Sequence, residues 1–353
     1  LADSALSESA FFIERSNMQG KRKSSPAYNE RRAKGIRPGS EVKPAGPPKK
    51  FHNIDLESEA AQGGFISSLD NDKAKFVRLL LNKKDRYGAR HFLVEGVRLV
   101  AEALEAPTKP TFTLYEPDAL RKTEAGRGLL LLLAELVAAK KGVYPVVEKV
   151  ITAASDTVNP QGIVAAMPFL NWTDEQFAAR PLHIILDGLQ DPGNLGTIMR
   201  SAWASGNAAV WLTESSVDIY SPKVVRAGMG AHFHVPARFD QKWTDLTKKL
   251  EELGIQQILL AEGEISPEGE SKANFRELPN VSYYEVDWKI PTAVIIGNEA
   301  HGPAPEGWQS ATKILNIPMP GGAESLNAGV ASSLIIFEAL RQQNSGVRSQ
   351  ESE

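Results

Sequence analysis

The sequence predicts an α/β protein: a parallel sheet covered on both faces in the C-terminal half, preceded by a smaller α/β domain. Three observations carry this. Short strand-like runs recur at 183–187, 208–212, 257–260, 293–296 and 314–317, and several are apolar without alternation, as strands buried on both faces require. Between strands lie stretches with apolar residues at helical spacing, such as Leu195, Ile198, Met199 and Ala202. Three of the strands run into loops rich in Gly, Pro, Asn and acid, longer than a bare turn needs.

A chain of 353 residues with 42% hydrophobic residues fits two domains with tails, each large enough for a core. The longest apolar run, residues 128–139, includes Glu135; it is too short to span a bilayer and reads as a buried helix, so no membrane partner is expected. No N-terminal apolar segment with a cleavage site is present, which argues against secretion. The absence of cysteine excludes disulfides, thiolate nucleophiles and cysteine zinc sites.

Residues 1–60 form a basic extension of disordered type, with many helix breakers and Lys21, Arg22, Lys23, Arg31, Arg32, Lys49 and Lys50. Net charge is -3, yet charge is segregated. Lys73, Lys75, Arg78, Lys83, Lys84, Arg86 and Arg90 form a basic run, while acids gather at Glu251, Glu252, Glu262, Glu264, Glu268 and Glu270. Such segregation can build one RNA-facing surface; from charge alone, solvated helix faces are the simpler reading.

The first folded unit spans 65–172. A helix is expected over 73–82, strands at 91–95, 112–115, 143–147 and 163–167, a helix from Gly96 through Leu104, and the Leu-rich helix among them. The second unit spans 183–343, and its last helix carries Leu326, Val330, Leu334 and Phe337 on one side. Residues 344–353 form a polar tail.

Ligands of α/β sheets bind beyond the carboxyl ends of strands, so the three loops are the natural site. The first reads Leu186-Asp-Gly-Leu-Gln-Asp-Pro-Gly-Asn-Leu-Gly-Thr-Ile-Met-Arg-Ser-Ala202. Gly193 and Gly196 would allow close backbone approach at a helix start, which favours an anion. Arg200 lies roughly 140° around the helix from Leu195 and points away from the core. The second, Ile296-Gly-Asn-Glu-Ala-His-Gly302, holds a carboxylate between glycines after a buried strand. In the third, Ile317-Pro-Met-Pro-Gly-Gly-Ala-Glu-Ser-Leu-Asn-Ala-Gly-Val330, Ser325 is positioned to cap the last helix. Taken singly, a capped turn, a solvated turn and a helix cap would explain them.

Together and in order, these loops resemble the signature motifs of the SpoU, or TrmH-like, RNA 2′-O-ribose methyltransferases: Asp-Pro-x-Asn-x-Gly-x-x-x-Arg, Gly-x-Glu-x-x-Gly and Ile-Pro-Met…Ser-Leu-Asn. Arg226-Ala-Gly-Met-Gly-Ala-His-Phe233, Tyr284-Glu-Val-Asp-Trp288 and Phe92-Leu-Val-Glu-Gly96 also resemble family segments. The last of these is similar to the family's substrate-binding domain, and the region from Val217 to Phe233 to mitochondrial and bacterial large-subunit rRNA members. Pro303 departs from the family, which usually has an apolar residue there.

The resemblance implies a C-terminal SPOUT domain whose deep trefoil knot forms the pocket for S-adenosylmethionine. It places Gly297, Glu299, Gly302, Ile317, Met319, Ser325, Leu326 and Asn327 at the cofactor, and Asn194 and Arg200 on the RNA side. Asn194, Arg200, Glu299, Ser325 and Asn327 are the expected catalytic set. It also implies a homodimer acting on RNA, with large-subunit rRNA in the mitochondrion as the expected substrate and place; another organelle or a bacterial cytoplasm is the alternative. The start at Leu1 is compatible with removal of a targeting peptide, although Glu8, Glu14 and Glu30 make the tail itself a poor presequence.

Other readings are a catalytically silent ribosome-assembly factor, a tRNA 2′-O-methyltransferase, a dinucleotide-dependent oxidoreductase and a metalloenzyme. The oxidoreductase lacks Gly-x-Gly-x-x-Gly after a strand. A metal site at His232 and His234, spaced to share one strand face, lacks a third ligand, so no metal is expected.

Overall fold

The computed structural model describes residues 65–139, 141–261, 277–298 and 301–345. The N-terminal extension, the acids Glu262, Glu264, Glu268 and Glu270, the motif residue Glu299 and the last eight residues lie outside them.

The smaller domain contains α1 (Asp72–Leu79), α2 (Lys83–Ala89), β1 (His91–Glu95), α3 (Val97–Glu105), β2 (Phe112–Tyr115), α4 (Pro117–Arg121), α5 (Glu124–Ala138), β3 (Val143–Pro145), α6 (Glu148–Ala154) and β4 (Ile163–Pro168). Its sheet has the order β1-β4-β2-β3; β4 is antiparallel to both neighbours and β2 is parallel to β3. The helix expected over 73–82 is α1, which ends at Leu79, and a second helix, α2, follows it. Asn82 separates the two, because its side chain accepts from Lys84 N at 2.9 Å and starts α2 as a cap.

Two members of the basic run are buried and add nothing to an exposed basic surface. Lys73 is buried with its Nζ 4.5 Å from the Tyr144 ring centroid. Arg86 is buried, donating to the carbonyls of Leu80 and Leu81 and to Asp218. The Leu-rich helix is a correction as well. Only Gly126, Leu129 and Leu133 of α5 are buried, with Leu130, Leu136 and Val137 half-buried against the core, while Leu131 is 74% exposed; one side packs, and Leu131 and Leu132 stay open.

After α7 (Asp174–Ala178) comes β5 (Leu182–Leu186), α8 (Pro192–Ser205), β6 (Ala208–Thr213) and α9 (Pro222–Gly228). A 3-10 turn (Ala231–Phe233) precedes β7 (Ala237–Gln241), α10 (Trp243–Glu252) and β8 (Gln257–Ala261). Then follow β9 (Asn280–Ser282), β10 (Thr292–Ile296), α11 (Pro305–Ser310), β11 (Lys313–Asn316) and α12 (Ala328–Ser345). The seven strands are parallel, in the order β7-β6-β5-β10-β8-β11-β9.

Alternate residues of the central strands feed two cores. Leu182, Ile184, Leu186, Val210, Leu212 and Val294 join α8 and α12 residues, and Ile185, Ala209, Trp211, Ala293 and Ile295 join Leu246, Leu250 and Trp308. Burial on both faces explains the unalternating runs. The edge strands β7 and β9 are polar or short and left no such signal.

The register aligns Leu186 with Ile296, Ile296 with Ala261, and Ala261 with Leu315. The three motif loops therefore leave the sheet at one end. The first two flank the junction of β5 and β10, where the chain order of strands reverses, the usual place for a ligand crevice.

Candidate functional site

Asp191 starts α8: its carboxylate accepts from Asn194 N at 2.7 Å, and Pro192 occupies the first turn. Asn194 is buried, and its Oδ1 accepts from Asn327 Nδ2 at 2.8 Å. Asn327 Oδ1 in turn accepts from the amides of Gly329 and Val330 at 3.0 and 3.3 Å. Asn327, not Ser325, therefore caps α12. The first and third loops are joined by one side-chain amide pair at the starts of two packed helices.

A second amide joins the first and second loops. Asn298 Nδ2 donates to Gly188 O at 2.8 Å, and His301 N donates to Asn298 Oδ1 at 3.1 Å. Asn298 and Gly302 also exchange backbone hydrogen bonds at 3.1 and 2.9 Å. Gly297 is required by close approach: a Cβ there would lie 2.6 Å from Pro303 N and 2.8 Å from Gly302 C. Gly302 adopts φ +68, a conformation that glycine takes without penalty. Pro303 fits this turn.

Beneath the loops, buried Asp187 accepts from Ala304 N at 2.6 Å, Thr213 Oγ1 at 3.1 Å and Trp243 Nε1 at 3.2 Å. Asp187 and Asn298 are organising residues that sequence reasoning did not single out. Their signal was position alone, an acid and an amide at the carboxyl ends of buried strands.

The structure uses Gly196 differently from the expectation of an anion site. It is buried, and a Cβ there would lie 2.3 Å from Ala227 Cβ; it lets α8 and α9 touch. Gly193 remains exposed at the helix start. Small residues also bring α8 against α12: a Cβ on Gly329 would lie 3.2 Å from the Thr197 side chain, and the Ser201 and Ser333 hydroxyls are 2.7 Å apart.

Arg200 and Ser325 are exposed and have no hydrogen-bond partner among the described residues. Ile317 and Met319 are half-buried, with Ile317 packed on the core, and Leu326 is 37% exposed. Along residues 317–326, a turn from Gly322 N to Met319 O at 3.0 Å is the only backbone bond among the described residues. The segment thus offers free amides and carbonyls beside apolar side chains and a glycine-lined turn. That donor and acceptor set fits an adenosine and amino-acid ligand such as S-adenosylmethionine. Glu299 lies outside the described residues.

The histidines do not form a metal pair and do not share a strand. His232 sits in the 3-10 turn, fully buried, with Nε2 2.9 Å from Ile219 O; burial pushes its pKa down to about 4. His234 stacks on Trp203 with ring centroids 4.4 Å apart, and its Nε2 is 2.6 Å from Glu102 of the smaller domain. The stripe of Val330, Leu334 and Phe337 is exposed, whereas Ala328, Gly329, Ser332, Ile335, Ile336 and Ala339 form the buried side of α12.

Comparison with known proteins agrees with this fold. The SpoU rRNA Methylase family matches residues 181–337, and an MRM3-like substrate binding domain matches residues 71–165. The chain is 30% identical to rRNA methyltransferase 3, mitochondrial, of Xenopus laevis, over 93% of this chain and 86% of that protein. It is 30% identical to the 23S rRNA (guanosine(2553)-2'-O)-methyltransferase RlmP of Bacillus subtilis, over 77% of this chain and 97% of that one. The crystal structure of S-adenosylmethionine-bound rRNA methyltransferase from Sinorhizobium meliloti matches with TM-score 0.63 and 30% identity, covering 79% of this chain and 97% of that chain. The chain belongs to the SpoU rRNA methylase family and is an RNA methyltransferase that uses S-adenosylmethionine.

Proposed function

We propose that this protein methylates a ribose 2′-hydroxyl of large-subunit rRNA in the mitochondrion during ribosome assembly. The observation that carries the reading is the Asn194–Asn327 bond. It joins the loop that would hold the cofactor to the helix whose exposed Arg200 would meet RNA. Relatives named as mitochondrial rRNA methyltransferases support the place, and the Bacillus subtilis relative supports the large subunit.

Gly297, Gly302, Ile317, Met319, Leu326 and the backbone around Ser325 and Asn327 would hold the cofactor, which supplies an electrophilic sulfonium methyl. The remaining task is to align and activate a hydroxyl, a poor nucleophile. Arg200 stays protonated in proteins and is therefore not the base. Its guanidinium clamps an RNA phosphate and stabilises the developing alkoxide, while the proton leaves from the 2′-oxygen to phosphate or water. Glu299 has a positioning role in this reading and no chemical one. Asn194 holds the start of α8 in register with the cofactor loop.

The active form in this reading is a homodimer. Helix α12 is apolar on two faces, and its outer face lines a groove of about 470 Å³ with Thr197, Tyr283, Val330, Ser333, Leu334 and Phe337. A second copy seated there would lie one turn of α8 from Arg200, where it could add basic residues to a site that has few.

Mapping 2′-O-methylation by sequencing in cells that lack the protein tests the proposal. Loss of one methylation in mitochondrial large-subunit rRNA is expected. A full rRNA complement with a missing tRNA mark would overturn the substrate, and no missing mark would favour a silent assembly factor.

A further inference from the structure

Helix α9 lies between the smaller domain and the helix that carries Asn194 and Arg200. On the α8 side, a Cβ at Gly196 would lie 2.3 Å from Ala227 Cβ and 2.8 Å from Ala227 C. At this point only the Ala227 methyl separates the two backbones, so little can absorb a shift and a displacement of one helix moves the other. From another face of α9, the adjacent residue Arg226 reaches across to the smaller domain. Its Nη2 donates to Asp156 at 2.8 Å, and its Nη1 lies 3.5 Å from Glu95 Oε2.

Glu95 is a fixed anchor. It ends β1, is 7% exposed, and accepts hydrogen bonds from Ser155 Oγ, from Thr157 Oγ1 at 2.6 Å and from Asp156 N at 3.3 Å. A planar guanidinium spans two carboxylates in a way that a lysine ammonium does not. Both motif segments noted in the sequence, one ending in Glu95-Gly96 and the other starting at Arg226, meet at this contact.

We propose that Arg226 is a positioning residue for methyl transfer. By bridging Glu95 and Asp156 it fixes the smaller domain against α9 and, through the Gly196–Ala227 contact, against Asn194 and Arg200. This rests on the reading that the smaller domain holds the RNA whose ribose meets Arg200. Other contacts keep the domains folded together without Arg226: Phe92 stacks on Tyr220 at 4.5 Å between centroids, and Arg86 pairs with Asp218 at 2.6 Å. Loss of Arg226 therefore loosens the geometry and leaves the fold.

The test uses full-length Arg226→Ala, Arg226→Lys and Glu95→Gln proteins. The chain has no cysteine, so Leu131→Cys and Thr244→Cys, both at exposed positions, place one spin label in each domain without background. Pulsed electron resonance on spin-diluted protein then reads the inter-domain distance. Transfer of labelled methyl to an unmodified large-subunit rRNA transcript is followed in single turnover at saturating RNA, and S-adenosylmethionine affinity by calorimetry.

Arg226→Ala is expected to broaden the distance distribution and slow transfer roughly tenfold, as expected for a displacement below an ångström, with cofactor affinity kept within twofold. Glu95→Gln should do the same, the double variant should be no slower than either single one, and Arg226→Lys should recover part of the rate. An unchanged distance distribution would overturn the proposal, as would a rate loss matched by equal loss of cofactor affinity. A broadened distribution with an unchanged rate would instead overturn the placement of RNA by the smaller domain, and the proposal with it.

Discussion

Asn327 Nδ2 donates to Asn194 Oδ1 at 2.8 Å, while Asn327 Oδ1 accepts from the amides of Gly329 and Val330. The side chain is committed to the protein at both ends. Asn327→Ala should therefore cost about 1 kcal/mol through the lost cap and weaken S-adenosylmethionine binding indirectly, by freeing the loop before α12. Calorimetry and thermal melting check both effects. Asn327→Asp keeps the capping oxygen but loses the donor to Asn194, so it should recover the stability and not the affinity.

Arg200 is exposed on the same helix and touches no other described residue through a hydrogen bond. Arg200→Ala should leave cofactor affinity and melting temperature unchanged and lower methyl transfer by at least a hundredfold, the scale of one lost donor to a developing oxyanion. Equal losses of cofactor affinity in Arg200→Ala and Asn327→Ala would contradict this division of the site.

The exposed side of α12 makes a separate prediction. Phe337 is 46% exposed and Val330 47% exposed beside Leu334, an arrangement that a partner would cover. Phe337→Glu is expected to convert a dimer to a monomer by light scattering at micromolar concentration, with unchanged helical content and much reduced activity. A monomeric wild-type protein with full activity would remove the dimer from the proposal.

The candidate loops were legible because ligand-binding loops need residue types that packing does not. The Asn-Leu-Gly and Gly-Asn-Glu segments stand out beside strands made mostly of apolar residues. What was not legible depended on distant partners. Gly196 read as a phosphate-facing glycine, yet it serves a helix crossing with Ala227, 31 positions away. Arg86 and Lys73 read as part of an RNA-facing run, yet each is buried against a residue far along the chain, Asp218 and Tyr144. The stripe of α12 read as one helix face, and no periodicity could tell that a second face is the one packed on the sheet.

Buried histidines make stability depend on pH. His183 accepts from Trp211 Nε1 at 3.0 Å, and burial holds both it and His232 at about 4. Between pH 4 and the unfolded value near 6.5, the unfolded chain binds more protons than the folded one. Stability should therefore be fully present above pH 6.5 and fall as pH drops, by up to about 1.4 kcal/mol per pH unit for each histidine. Urea unfolding between pH 5 and 7 measures the slope. His232→Asn should lower stability at pH 7 and flatten the slope; a variant with the wild-type slope would show that His232 is not the titrating group.

The last expectation concerns the contact between α8 and α9. A methyl group added at Gly196 would sit 2.3 Å from Ala227 Cβ, 2.8 Å from Ala227 C and 3.1 Å from Ala227 Cα. Two of these are backbone atoms, so rotating a side chain away cannot relieve the clash. Gly196→Ala should force the helices apart and cost about 1–3 kcal/mol, the usual range for overpacking. Because Asn194 and Arg200 ride on α8, methyl transfer should fall as well, even at temperatures where the variant is fully folded. Ala227→Gly removes the nearest atom and leaves the backbone contacts, so the double variant should recover only part of both losses. Thermal melting and single-turnover rates on the same preparations check the pairing. A Gly196→Ala protein as stable and active as wild type would mean that α8 and α9 do not move as one body, and that Arg226 has no rigid path to the active residues.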